Sequence, residues 1–261
     1  MPAVPLFRAP TRHVVIAAFP GMQSLDAVGP LEVFSSASRV AEGLGVPGGY
    51  RVSLVSATGA GVTSESGLTL GTGPLPPYGT AIDTLLLPGG DGVHLAREDT
   101  VLMDWIRRTA PTTRRVATVC TGTFLAADAG LLTGRTVTTH WARADRLAAE
   151  FPDLTVDPDP IYVHDGRVWT SAGVTAGIDL SLAMVQDDLG TEVAQTVARW
   201  LVMFLHRPGG QTQFAAPVWV PRAERSTVRA IQDLVEAAPG GDHRLPALAA
   251  AAAMSVRHFS R

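Results

Sequence analysis

The stretch 115-RVATVCTGTFLAADAGLL-132 decides how the chain is read. Val116 to Val119 is an apolar run of strand length, and the segment beyond Thr121-Gly122 has the texture of a helix. Between them stands Cys120, the single cysteine among 261 residues. A sharp strand-to-helix corner puts its side chain at a helix N-terminus, where free N–H groups and the positive end of the dipole favour an anion. The expectation is a partly accessible thiolate of lowered pKa, with backbone donors ready for a developing oxyanion, the geometry of a nucleophile elbow. The competing reading is an ordinary one, in which a lone cysteine packs as a small buried hydrophobe.

Working outward, the same alternation repeats. His13 to Phe19 reads as a buried strand, followed by a helix over Leu25 to Val40 with Pro30 near its start. Tyr50 to Ala57 is a second strand, and Val62 to Leu70 a hairpin-like excursion. Asp83 to Leu87 runs into 88-PGGDG-92, and a helix follows around Leu102 to Arg108. After the cysteine corner, Arg135 to Thr139 is extended and residues 141–151 are helical. A strand pair then spans Ile161 to Ser171, and two helices cover Gly177 to Leu189 and Glu192 to Leu205. Short apolar strands alternating with helices predict an α/β fold, a mostly parallel sheet covered on both faces. Ligand sites of such sheets lie beyond the carboxyl ends of the strands. The turn after the first strand, the Gly89-Gly90 turn and the Cys120 corner all fall there.

Composition narrows the function. With 46% hydrophobic and 17% charged residues the chain can bury a large core. The 21 basic residues are all arginine, and the net charge of -3 argues against a uniformly basic nucleic-acid binder. One cysteine makes no internal disulfide, and no apolar run reaches the ~20 residues of a membrane helix. Neither a signal peptide nor a metal-ligand or cofactor motif is read, so a cytoplasmic location, with no metal, cofactor or membrane partner, is the expectation.

A reactive thiol needs partners. Asp26, in 24-SLDAVGP-30, follows the first strand, and His140, in 138-TTHW-141, is the nearest downstream histidine. At this point the residues carry a resemblance. The pieces 19-FPGMQSLDAVGPLEVF-34, 86-LLPGG-90, 118-TVCTGTFLAADAGLLTGRTVTTHW-141 and 172-AGVTAGIDLSL-182 together resemble the ThiJ/PfpI superfamily, class I glutamine amidotransferase-like, in its GlxA-like branch. The resemblance implies a flavodoxin-like sandwich. It also implies a pocket formed by Cys120, Asp26 and the backbone amides of Gly90 and Thr121, with His140 beside it. Asp26, Cys120 and Thr121 match the positions used by isonitrile hydratase within the superfamily. Thr121 stands where the intracellular protease branch has histidine, which argues against peptidase chemistry.

Beyond residue 214 the texture changes. Residues 215–223 read as a linker, and residues 224–238 as an amphipathic helix with Val228, Ile231 and Val235 on one stripe. Leu245 to Met254 reads as a second helix opened by Pro246, and Ser255 as the N-cap of a third. The segment 248-LAAAAAMSVRHFSR-261 resembles the first helix-turn-helix of AraC-type regulators, with Ala253 at a turn position where that family often has glycine. The resemblance implies DNA contacts from Ser255, Arg257, His258 and Arg261. A family module has two such units and this segment spans barely one, so weak DNA binding by this chain is expected. The organisation expected is thus a ThiJ/PfpI-like domain over 1–214, a linker over 215–223 and a partial helix-turn-helix domain over 224–261. The function expected is a homodimeric AraC-type transcription regulator with a domain that senses a small molecule or serves as a dimer scaffold. The alternative is a cysteine-dependent enzyme resembling isonitrile hydratase.

Overall fold

A computed structural model of the chain describes residues 11–207, 209–213, 226–238 and 240–260. The chain divides into two compact units, Met1–Gln213 and Phe214–Arg261. The expected linker, the start of the helix expected from residue 224, and Arg261 lie outside the described residues.

In the first unit the elements follow in the order β1 Thr11–Ala17, α1 Ser24–Leu44, β2 Gly49–Ser56, the short β3 Val62–Thr63, β4 Thr69–Leu70 and β5 Gly73–Pro74, then β6 Thr84–Leu87, α2 Val93–Glu98 and α3 Thr100–Thr109. After them come β7 Arg115–Val119, α4 Gly122–Asp128, β8 Thr136–Val137, α5 Ala144–Glu150, β9 Thr155–Val156, β10 Tyr162–Asp165, β11 Val168–Ser171, α6 Ala176–Leu189 and α7 Thr191–Trp200. Seven strands form one sheet in the order β10-β11-β7-β6-β1-β2-β5. All pairs are parallel except the β10–β11 hairpin, where Tyr162 faces Ser171. Val14 through Ala17 of β1, and all of β6 and β7, are buried, as strands covered on both faces must be. The fold is an α/β sandwich of the flavodoxin-like type. The extended stretch at residues 135–139 does not join the main sheet: Thr136 and Val137 pair with Thr155 and Val156 in a separate two-stranded ribbon.

Pro30 lies well inside α1 rather than near its start, because the helix begins at Ser24, with the Gln23 side chain accepting the Leu25 N–H at 3.2 Å. Its ring cannot donate to the carbonyl of Asp26. The helix tolerates this because Gly29 and Pro30 form its close crossing with α6. A Cβ on Gly29 would lie 2.9 Å from Ile178 Cγ1, and one on Gly177 would lie 3.5 Å from Pro30 Cγ.

The second unit contains α8 Ser226–Ala237, α9 Leu245–Ala251 and α10 Val256–Phe259, with Ile231, Ala249 and Ala252 buried. Two helices end earlier than the hydrophobic pattern predicts, α7 at Trp200 instead of Leu205 and α9 at Ala251 instead of Met254. One cause serves both. Val202 and Ala253 adopt left-handed backbone, at φ 54° and 53°, and the following amides wrap back onto the last turn: Met203 N–H donates to Ala198 O and Met254 N–H to Ala249 O. Alternation of apolar residues continues past the stop, so periodicity alone overruns it.

Candidate functional site

The loops after β1, β6, β7 and β11 converge at the carboxyl end of the sheet. Chain order reverses there, since β2 lies on one side of β1 and β6 on the other, which is the position that leaves a crevice in such sheets. What brings the loops together is the absence of side chains. A Cβ on Gly89 would sit 2.5 Å from the Thr121 nitrogen, and one on Gly90 would sit 2.3 Å from the Gln23 nitrogen. One on Gly92 would meet Pro20 O at 2.0 Å, and one on Gly122 would meet Leu87 O at 2.1 Å. Main chain therefore packs on main chain. The contacts are bonded too: Gln23 N–H donates to Gly89 O at 2.8 Å and Gly92 N–H to Gly21 O at 2.9 Å.

Cys120 sits at the corner with φ 56°, a left-handed conformation that costs a non-glycine residue about 1–2 kcal/mol. Its main chain is held on both sides. The N–H donates to Ser171 O and Ala172 O, each at 3.1 Å, and the carbonyl accepts the Thr139 hydroxyl at 2.7 Å. The sheet and the β8 segment thus impose the strained turn.

Asp26, in the first turn of α1, is fully buried, and its Oδ2 accepts the Gly89 N–H at 2.9 Å. Burial is the main force that raises its pKa to about 7, and the carboxylate of Glu65 adds to it. The amides of Gly89 and Val174 pull the other way, although Oδ1 holds no hydrogen bond of ordinary geometry. Thr121 Oγ1 accepts the Gly90 N–H at 2.9 Å and donates to Gly90 O at 3.1 Å.

These facts correct two expectations drawn from the corner. The thiol's pKa is raised rather than lowered. Cys120 is only 8% exposed, and burial, reinforced by the nearby charge of Asp26, pushes its pKa up to about 12 against the opposing Thr121 amide and hydroxyl. α4 is seven residues long, and its dipole does not outweigh that desolvation. No hydrogen bond joins Cys120 to Asp26 among the described residues. Secondly, the Gly90 amide already serves Thr121 and is not free for an oxyanion.

Above the cysteine lies a cavity of about 230 Å³, lined by Gln23, Glu65, Gly90, Cys120, Thr121, His140, Arg143 and Val174 among others. His140 is therefore at the site. Its Nδ1 accepts the Ala142 N–H at 3.2 Å, which makes that nitrogen an acceptor. Burial, then the Arg143 charge, lowers its pKa. The ring lies against Gly173, where a Cβ would fall 2.1 Å from His140 Cδ2. Six lining residues, Gln23, Glu65, Asp91, Ala142, Arg143 and Val174, were not singled out by sequence reasoning, and two of them carry particular features. Glu65 comes from the β3–β4 turn and anchors itself by accepting from Gln23 Nε2 at 2.7 Å and from the Asp91 N–H at 2.9 Å. Val174 has φ 56°, a genuine outlier for a β-branched residue. A turn glutamate reads as solvated, and nothing in the residue type of Val174 announces a left-handed backbone. Among the described residues no cluster of three or more His, Cys, Asp or Glu is placed to hold a metal ion, and no helix is long and apolar enough to cross a membrane.

In the second unit, Ser255 Oγ caps α10 by accepting the His258 N–H at 3.2 Å, and Arg257 and His258 are exposed.

A parallel sheet with a cysteine in a strained strand-to-helix corner, beside a buried acid from the first crossover, defines a flavodoxin-like domain of the cysteine-elbow class. The chain belongs to the DJ-1/PfpI family, which residues 12–187 match. It is 38% identical over 180 residues to an isonitrile hydratase of Pseudomonas putida, covering 69% of this chain and 73% of that protein. It is 30% identical over 218 residues to the HTH-type transcriptional regulator GlxA of Rhizobium meliloti, covering 81% of this chain and 65% of the regulator. The structure is similar to that of a ThiJ/PfpI family protein from Pseudomonas syringae, with a TM-score of 0.66 and 26% identity over 91% of this chain and 93% of that one.

Proposed function

We propose that the chain is a DNA-binding transcription regulator of the AraC type, whose DJ-1/PfpI domain receives a small molecule in the cavity above Cys120. The observation that carries this reading is the geometry of α9 and α10. A short helix, a turn through left-handed Ala253, and a second helix capped by Ser255 leave Arg257 and His258 exposed at the start of the second helix. Those are the positions from which a recognition helix reaches base edges and phosphates. The likeness to the GlxA regulator supports it. So does the raised pKa of the thiol, because a buried neutral sulfhydryl suits a binding pocket better than a nucleophile. The regulator reading also calls for two copies, since such proteins read paired half-sites. Salt-controlled titration on DNA from upstream of its own and neighbouring genes, against scrambled DNA, is the test. Sequence preference that weakens steeply with salt supports the proposal, and equal binding to both DNAs counts against it.

The second reading is an enzyme acting on a small electrophile at Cys120. It rests on a buried Asp26 near enough for its charge to act on Cys120 and on the likeness to isonitrile hydratase. Turnover of an isonitrile to the N-substituted formamide, abolished by Cys120→Ala, would establish it.

A further inference from the structure

The first unit ends at Gln213, and its last described residues are Arg207 and residues 209–213. The end of a unit is ordinarily loose unless something ties it down. Here two side chains do so, and both grip segments that wall the Cys120 cavity.

Gln211 is 2% exposed, deep burial for a polar side chain. Its Oε1 accepts the Trp141 N–H at 2.8 Å. Its Nε2 donates to Thr139 O at 2.9 Å, Thr138 Oγ1 at 3.0 Å and Pro160 O at 3.3 Å. An amide suits the place because one end group supplies both donors and an acceptor. Three of these partners bracket His140, which lines the cavity. One bond further on, the Thr139 hydroxyl donates to Cys120 O. The main chain is fixed as well. Gln211 N–H donates to Asp159 O at 2.6 Å, and a Cβ on Gly210 would fall 2.2 Å from Asp159 Oδ1.

Arg207 holds the second wall. Its guanidinium forks onto the buried Asp179 carboxylate and donates to Thr175 Oγ1 at 3.3 Å. Thr175 directly follows Val174, the strained residue that lines the cavity. The two walls also touch, since the His140 ring lies against Gly173. A guest that displaces either wall therefore pulls on a bond to the exit segment. Close-packed interiors answer such a push by changing arrangement, because they do not stretch.

We infer that Gln211 and Arg207 are positioning residues of the Cys120 cavity, and that the segment they anchor passes the state of the cavity to the chain that continues into the second unit. This rests on the reading of the cavity as a receptor site. Such coupling is reciprocal, so loosening the anchors must also be felt at the cysteine.

N-ethylmaleimide serves as the guest, because Cys120 is the single cysteine and the chain has no lysine. Amide hydrogen exchange of the full chain, with and without the adduct, reads the forward direction. The Trp141 and Gln211 amides should exchange at least about tenfold faster in the adduct, with the amides of β1 and β6 unchanged. Cys120→Ala given the same reagent should show no change. In the reverse direction, Gln211→Ala and Arg207→Ala should each raise the alkylation rate of Cys120 at least about fivefold. Gln211→Ala should also shift the His140 titration read by NMR. Val193→Ala, buried in α7, should lower the melting temperature and move neither readout, which separates positioning from plain destabilisation. The inference is overturned if the adduct leaves the Trp141 and Gln211 amides unchanged or speeds β1 and β6 equally. It is also overturned if neither anchor variant raises the alkylation rate, or if Val193→Ala raises it as much. None of these readouts involves DNA. Absence of a DNA preference would therefore overturn the regulator reading and leave this coupling standing.

Discussion

Asp26 and Gly89, sixty-three residues apart in the chain, are joined by a 2.9 Å hydrogen bond from the Gly89 amide to Oδ2 inside the protein. That bond favours the ionised carboxyl, and burial opposes it more strongly, so the group titrates at about 7 rather than near 3.8. Between those two values the folded protein holds a proton that the unfolded chain has released. Stability from this group is therefore complete below about pH 4 and falls as pH rises toward 7, by roughly 4 kcal/mol at most. Asn at position 26 keeps an acceptor for Gly89 and cannot ionise. The stability of Asp26→Asn relative to wild type should thus improve from pH 4 to pH 7, as read by urea unfolding across that range. A difference that does not vary with pH would refute the raised titration.

The same charge acts on the thiol. Cys120 should react with iodoacetamide at neutral pH more slowly than a free thiol, since burial holds it protonated. Asp26→Asn removes the repulsion and should speed alkylation several-fold above pH 8, while leaving it slower than a free thiol because the larger cause, burial, persists. A pH–rate profile for both proteins checks this. A wild-type rate matching free cysteine would reinstate an activated nucleophile.

Gly122 is the most constrained residue of the corner. Its missing side chain lets Leu87 O approach to where a Cβ would stand 2.1 Å away, and that neighbour is backbone, which cannot rotate aside. Gly122→Ala should cost at least ~2 kcal/mol, whereas Gly130→Ala, in open space, should cost mainly the strain of its own left-handed φ of 74°. Denaturant midpoints for the two variants give the comparison.

Much of this was legible in the residues. The strand from Val116 to Val119, the glycines at 89 and 90, and the hairpin about Asp165-Gly166 each follow from local rules, because apolar runs and turn residues act within a few positions. Asp26, Thr121, Gly90 and His140 are brought to the Cys120 corner, as their places after successive strands imply. The sign of the thiol's pKa was not legible, since it depends on how deeply the corner is buried and on a carboxylate from another loop. Glu65 and Val174 were invisible for a related reason: their roles come from where a hairpin folds over and where a turn is forced, not from residue type.

The turn at Ala253 carries a quantitative expectation. Its φ of 53° strains any residue with a Cβ, and the position is exposed. Ala253→Gly should stabilise the α9–α10 pair by about 1 kcal/mol, and Ser255→Ala should destabilise it by about 1 kcal/mol through loss of the cap on the His258 amide. Amide hydrogen exchange over residues 245–260 resolves both changes. Equal protection in all three proteins would mean that this turn is not formed as described.

The walls around Cys120 are cast from peptide groups, with glycines at 89, 90, 92 and 122 letting one loop lie flat on another. The lining that a visiting molecule would touch comes instead from side chains such as Glu65, His140, Arg143 and Val174, contributed by three other segments. Frame and upholstery are thus separable. Exchanging Arg143 changes the polarity offered to a guest without disturbing the mould, while a single methyl group added to the mould breaks it. A scaffold divided in this way can be refitted for a new molecule by a few replacements, whether the guest is to be transformed or only detected.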